Sequence, residues 1–245
     1  MDEPAWNNPE AVEAFLNKGL SLEGTIETAG KSVREKAKSS YKQELLDARL
    51  FLTAIFAHFQ EFKSGVPGTT NDSITHRLTL LAVFVQGMTF TERLISEGQY
   101  VKATGVLKQD YELLTPVREV IAGQAKPGIT PNVRHAPRGS QRFYGQLNDL
   151  AHPSNLDSLQ AVLGQMHGRD VHGLTVIPSF KEVARDLYEL HVWLMFQMAR
   201  EAYRLAIEMY GPSDSGIALV LKWLWATSNK PEEAGFESSS RDEPE

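Results

Sequence analysis

Residues 180–210, FKEVARDLYELHVWLMFQMAREAYRLAIEMY, decide the fold class. Val183, Leu187, Leu190, Leu194, Met198, Leu205 and Met209 recur at helical spacing and share one stripe of an α-helix. The pair Gly211-Pro212 stops it. Upstream, the same apolar spacing predicts a helix from Asp72 or Ser73 to Ser96 and another from Tyr100 to Ala122, separated by the short break Glu97-Gly98-Gln99. Leu78, Leu81, Phe84, Val85 and Met88 have apolar neighbours on other faces, which makes the first of these two the central helix. Pro116 is positioned to kink the second.

The chain from Ser32 to Lys63 has no Gly or Pro and reads as one helix, with a polar first half that projects into solvent. Before it, Asn8-Pro9-Glu10 carries the signature of a helix start, and a short helix should run to about Asn17 ahead of Gly19, Gly24 and Gly30. A helix from Gln141 to Ala151 ends at His152-Pro153. Ser154-Asn155-Leu156-Asp157 then resembles a capping box that restarts a helix to about Met166. Residues 168–179 read as a loop with a short extended piece, Leu174 to Ile177. Strand-like alternation is nearly absent. The fold class is therefore all-α: a multi-helix bundle of long antiparallel helices, flanked by acidic disordered termini. The expected organisation is an acidic N-terminal segment over 1–31, a helical domain over 32–229 and an acidic tail over 230–245.

Composition narrows the function classes. There is no cysteine among the 245 residues, so disulfides and thiolate chemistry are excluded and a reducing compartment fits best. Met1-Asp2-Glu3-Pro4 is acidic where a secretory signal is basic, and the apolar run Leu78 to Phe90 is too short to span a bilayer. The expectation is a soluble, cytoplasmic protein. The net charge of −6 conceals an uneven distribution. Residues 1–30 hold six acids against Lys18, and residues 231–245 hold six against Arg241, leaving 19 acids and 23 bases between them. The body is mildly basic, which permits a polyanionic partner.

One helix gathers chemistry. At about 100° per residue, Arg142, Gly145, Asn148, Asp149 and His152 fall within about one third of the circumference, opposite Phe143, Leu147 and Leu150. A cation, a carboxamide, a carboxylate and an imidazole thus share a face suited to acid–base work or phosphate contact. The plainer alternative is a polar face that meets water. Gly145 in mid-helix costs roughly 1 kcal/mol relative to Ala and lets a ligand or chain approach the backbone. His152 sits at a helix C-terminus, which favours its protonated form.

The run Leu147-Asn148-Asp149-Leu150-Ala151-His152 resembles the Arg-Asn-x-x-x-His element of the HEPN superfamily, helical bundles that are often RNases of toxin–antitoxin and phage-defence systems. The resemblance implies Asn148 and His152 as family positions acting on a scissile phosphate across a dimer. Leu147 stands where the family has arginine, and leucine donates nothing to a phosphate. Arg142, two turns earlier, is the substitute cation. The chain is also similar to an uncharacterised bacterial group of all-helical proteins distantly like HEPN, in which a Leu-Arg-x-x-x-Glu helix precedes a His-Pro corner. Here those elements are Leu107-Lys108-Gln109-Asp110-Tyr111-Glu112 and His152-Pro153-Ser154. That likeness covers about residues 75–210, and the functional reading of Glu112 is that it orients His152 within the bundle, the plainer one a surface or interhelix ion pair. By spacing alone, Lys108 and Glu112 predict an i,i+4 ion pair worth about 0.2–0.5 kcal/mol.

Between Glu119 and Asp149 there is no acid, while Lys126, Arg134, His135, Arg138 and Arg142 all fall there. Such arginines, with Phe143 and Tyr144 behind them, suit phosphates and bases. They equally suit the acidic termini, or plain solvation. No metal-ligand spacing stands out: His167 and His172 flank Asp170 in a loop, and His191 reads as a satisfied core histidine. No cofactor fingerprint occurs. The segment Ser215 to Thr227, with Trp223 and Trp225, is apolar nearly all round and reads as a helix buried in the core or against a partner subunit, as in a homodimer.

Two functions lead, beside a third possibility of a structural dimer through the last helix for which the His152 corner is dispensable. The first is a binding protein that holds an anionic ligand, RNA included, or a protein partner through Arg134, Arg138, Asp149, Lys108 and the His152 corner. The second is a metal-independent ribonuclease using His152 and Arg142 with Asn148 and Glu112.

Overall fold

The computed structural model describes residues 8–61, 67–125, 135, 140–151, 155–167 and 170–211. Among them the elements are α1 (Pro9–Ser40), α2 (Gln43–Glu61), α3 (Asp72–Ser96), α4 (Tyr100–Ile121), α5 (Gln141–Ala151), α6 (Leu156–Leu163), β1 (Gly164–His167), β2 (Asp170–Leu174) and α7 (Val183–Tyr210). The all-α bundle is as expected, with one small antiparallel hairpin, β1–β2, added to it.

The core is a packet of α2, α3, α4 and α7. Cross-helix bonds give the directions. Arg49 on α2 meets Glu92 on α3, and Arg77 on α3 meets Glu208 near the far end of α7. Thr91 on α3 donates to Asp110 on α4 at 3.0 Å. Helix α3 therefore runs antiparallel to α2, α4 and α7. It is also the one described helix that is long and apolar enough to cross a bilayer by length and composition. In this bundle its Ile74, Leu81, Phe84, Leu94 and Ile95 are buried against the other helices.

Local chemistry explains the boundaries. The Asn71 side chain accepts from the Ile74 N–H at 2.8 Å and caps α3, one residue before the expected cap. The end of α3 closes through Gln99 N–H to Leu94 O, 2.9 Å, around Gly98 at φ +80°. A Cβ on Gly98 would stand 3.1 Å from the Ser179 carbonyl and 3.2 Å from a Val33 methyl, so the turn needs glycine on two counts. Helix α4 passes through Pro116 as one element.

The first forty residues differ from expectation. Instead of ending near Asn17, α1 continues to Ser40, so the expected division at 31/32 falls inside a helix. The stretch after Ser32 keeps Lys36, Lys38 and Lys42 exposed, as expected of its polar side, but packs its other face: Gly30, Val33 and Ala37 are buried, while Phe15, Leu16 and Leu20 stand exposed. Positions 30, 33 and 37 share one face, and Gly30 brings the backbone against Glu97, which also pairs with Arg34 and Arg93. The single helix expected over 32–63 breaks at Tyr41, whose extended backbone stacks its ring on Tyr188 at 3.9 Å.

Helix α6 also departs from expectation. Asn155 caps it through Ser158 N–H, and it stops at Leu163 rather than Met166 because 164–167 pair with 170–174 as a hairpin. His167 and Asp170 are backbone partners in that hairpin. The expected helix over 215–227, with Trp223 and Trp225, and the acidic tail lie outside the described residues.

Candidate functional site

The residues that carried the sequence argument lie where α5 lies across α4. Helix α4 presents Lys108, Tyr111, Glu112, Thr115 and Arg118 at helical spacing, a stripe about 120° wide. Helix α5 packs on this stripe and reaches α7 through Phe143, whose ring lies 6.0 Å from that of Trp193. Leu147 is buried on the packed side, which explains why a leucine occupies that position in this bundle.

Three polar contacts join the two helices. The Lys108 ammonium donates to Asn148 Oδ1 at 2.9 Å and sits 5.4 Å from the centre of the Tyr144 ring. The Tyr144 hydroxyl donates to Glu112 Oε1 at 3.2 Å. Beneath them the Tyr111 hydroxyl and Ser140 Oγ share a buried hydrogen bond of 2.9 Å, and the Tyr111 and Tyr144 rings are 5.6 Å apart. Both phenols are held above their usual range. Burial is the chief cause for each; for Tyr144 the Glu112 carboxylate adds to it, and for Tyr111 the Ser140 bond and the Arg118 charge oppose it.

This arrangement departs from the i,i+4 ion pair expected of Lys108 and Glu112. Each turns instead to α5, Lys108 to a neutral carboxamide and Glu112 to a phenol. Both partners are supplied across the helix pair, Asn148 and Tyr144 standing on α5 within hydrogen-bond distance. Lys108 consequently keeps a charge that no carboxylate among the described residues neutralises within 4 Å.

Of the residues singled out from sequence, Lys108, Glu112 and Asn148 come together. Arg142 and Asp149 belong to α5 by backbone, but their side chains lie outside the described residues, as do His152, Arg134 and Arg138. Sequence reasoning missed Tyr111 and Ser140, which seat α5, and the bond from Tyr144 to Glu112. The signal for Tyr111 was present as its three-residue offset from Lys108. Among the described residues no group of three or more His, Asp or Glu gathers as for a metal ion.

Gly145 is exposed on α5, and a Cβ built there meets nothing within 4 Å. The close approach expected at this glycine is thus made by none of the described residues. Replacing Gly145 by alanine should raise stability by about 0.5–1 kcal/mol through helix propensity alone. Chemical denaturation reads that gain directly, and a loss of stability would mean that the position is covered.

Against known protein families, curated proteins and solved structures, the chain finds no match.

Proposed function

We propose that this chain is a cytoplasmic, HEPN-like binding protein that holds an anionic ligand on the α4–α5 face, with single-stranded RNA as the first ligand to test. The observation that carries the reading is Lys108. Its ammonium is oriented by Asn148 and the Tyr144 ring, yet has no carboxylate partner within ion-pair distance among the described residues. A cation held in place by neutral groups retains its attraction for an external anion. The adjoining stretch, with Arg134, Arg138, Arg142 and the His152 corner, carries no acid over 29 residues of chain between Glu119 and Asp149, so further positive charge is close in sequence. Leu147 in the place of the family arginine favours holding over cleaving.

Fluorescence anisotropy with a labelled single-stranded RNA, read at several salt concentrations, tests this. The expected result is binding that Lys108→Ala weakens several-fold, with the slope of log K against log salt reduced by about one. The same RNA, incubated with the protein in EDTA, should remain intact. Absence of binding at low salt would sink the RNA reading. Metal-independent cleavage that His152→Ala abolishes would replace binding by ribonuclease activity.

A further inference from the structure

The buried face of α1 continues past the end of the bundle. Val12, Phe15, Gly19, Leu22 and Ile26 are spaced by three, four, three and four residues, and one further heptad leads to Val33. One end of this seam is covered: Ile26 is half-buried, and Val33 is buried against the α3–α4 turn. The other end is bare. Every residue from Asn8 to Thr25 is exposed, Phe15 to 75% and Leu22 to 47%, and Leu16 beside the seam is exposed to 60%. Two contacts set the direction. Val33 and Ser179 both flank Gly98, and Tyr41 stacks on Tyr188. Helix α1 thus runs in the same direction as α7, which carries Phe15 about 27 Å past the α3–α4 turn.

A helical stretch of this length held by its own hydrogen bonds alone is marginal in water, and glycine weakens it further. Gly19 and Gly24 bring the fold nothing in return, since a Cβ on either meets nothing within 4 Å. Gly19 moreover occupies the seam, where a missing side chain serves the close approach of something from outside. The apolar stretch 215–227 of the same chain does not reach it. Helix α7 ends at the opposite end of the bundle, beside the start of α3, where the Gly68 N–H donates to Met209 O at 2.7 Å. About 55 Å therefore separates that end from Leu22. Residues 211–214 span at most about 14 Å, and thirteen residues of helix add about 20 Å. That stretch is no cover for the seam.

We propose that the protruding half of α1, from Val12 to Ile26, pairs antiparallel with the same segment of a second copy. The orientation follows from the seam. Beyond Ile26 the same face is already covered by the chain's own bundle, so a parallel partner would have to occupy that space. An antiparallel partner leads away from it. In that arrangement Phe15 stands opposite Gly19 of the second copy and Val12 opposite Leu22, so the largest side chain of the seam meets its smallest residue. No charged side chain lies in the seam, and the pairing takes Phe15, Leu16 and Leu22 of both copies out of water. The interface is distinct from the α4–α5 face and from the last apolar stretch of the chain.

Sedimentation equilibrium of the full chain, from about 1 to about 300 µM, should show a monomer–dimer equilibrium with a dissociation constant of roughly 1–100 µM. Phe15→Asp and Leu22→Asp should each raise that constant by at least about ten-fold. Both side chains are exposed in the single chain, so the bundle tolerates either change. Gly19→Leu fills the notch and should also weaken the pair, whereas a loose apolar association would be tightened by it. Because the chain has no cysteine, an introduced one carries a spin label alone. Labels at Asn17→Cys should lie close together across the pair, and labels at Glu10→Cys about 20 Å further apart along the axis. A parallel pair gives the same separation at both. The proposal is overturned if the chain stays monomeric at every concentration, if both aspartate variants pair as the parent does, if Gly19→Leu tightens the pair, or if the two separations are equal. A dimer lost in Trp223→Ser but indifferent to Phe15→Asp moves the interface to the last apolar stretch and removes the α1 pairing. RNA binding on the α4–α5 face is read separately and is untouched by any of these outcomes.

Discussion

Glu92→Ala should lower the unfolding free energy by about 3 kcal/mol, making it one of the most damaging single changes of a polar side chain in this bundle. Glu92 on α3 receives both the Nε and an Nη of Arg49 on α2, each at 2.7 Å. The two side chains are only 19% and 20% exposed. Removing the carboxylate strands a guanidinium beside the neutral, buried His191 and the Tyr188 ring. The cost is mainly that of a desolvated charge left without a partner, and the one-fifth exposure places it at the lower end of the range for buried pairs. Two comparisons separate this from a packing effect. The double variant Arg49→Met/Glu92→Leu should return to within about 1 kcal/mol of the parent, because no charge is then left buried. Glu182→Ala, which breaks the exposed pair with Arg185, should change stability by less than about 1 kcal/mol. Urea unfolding gives all three values. A loss below 1 kcal/mol for Glu92→Ala would mean that Arg49 swings out to water.

How much of this was legible beforehand depended on whether the determining forces were local. Helices α3, α4 and α7 could be read nearly to their ends because Asn71, Gly98 and Gly211 act on the residues next to them, and because their apolar stripes are long. Helix α1 was misjudged because Gly19, Gly24 and Gly30 look like punctuation. A glycine costs about 1 kcal/mol in a helix but does not end one, and Gly30 is used for contact with Glu97. The break at Tyr41 is a tertiary effect, set by stacking on a tyrosine 147 positions later. The β1–β2 hairpin has strands of four and five residues containing glycine and histidine, too short to show an alternation.

The candidate site divides along the same line. That Lys108 and Glu112 lie on one helix face was visible in their spacing, and Asn148 was visible on the polar face of the next helix, but the pairing between the two helices was not. Whether Lys108 turns to Glu112 or to Asn148 depends on where α5 lands, and Ser140 and Tyr111 fix that. His191 shows the converse. Its place in an apolar stripe correctly marked it as core, but among the described residues neither ring nitrogen has the hydrogen-bond partner that the reading also expected.

That missing partnership makes His191→Phe a stabilising change, by about 1–3 kcal/mol at pH 7, with His191→Leu as the alternative if the larger ring overfills the space. The imidazole is fully buried on α7, with the Tyr188 ring 6.4 Å away and the Arg49–Glu92 pair nearby. Burial first, and the Arg49 charge second, push its pKa down from 6.5 to about 3. Between those values the unfolded chain binds a proton at this histidine and the native chain does not. The histidine's contribution to the stability of the parent therefore falls as the pH drops below about 6.5, by up to about 1.4 kcal/mol per unit. Asp110 acts in the opposite direction. Burial raises its carboxyl from 3.8 to about 6 against the opposing Thr91 bond, so in that window the native state holds a proton that the unfolded chain has released, and acidification favours folding. The two terms offset one another in the parent between about pH 4 and 6. The difference between parent and His191→Phe at each pH cancels Asp110 and isolates the histidine. The advantage of phenylalanine should widen steadily from pH 7 to pH 5. If it stays constant, the histidine takes up its proton in the native state. If both apolar variants lose more than 1 kcal/mol at pH 7, the imidazole nitrogens have a bonded partner such as an internal water.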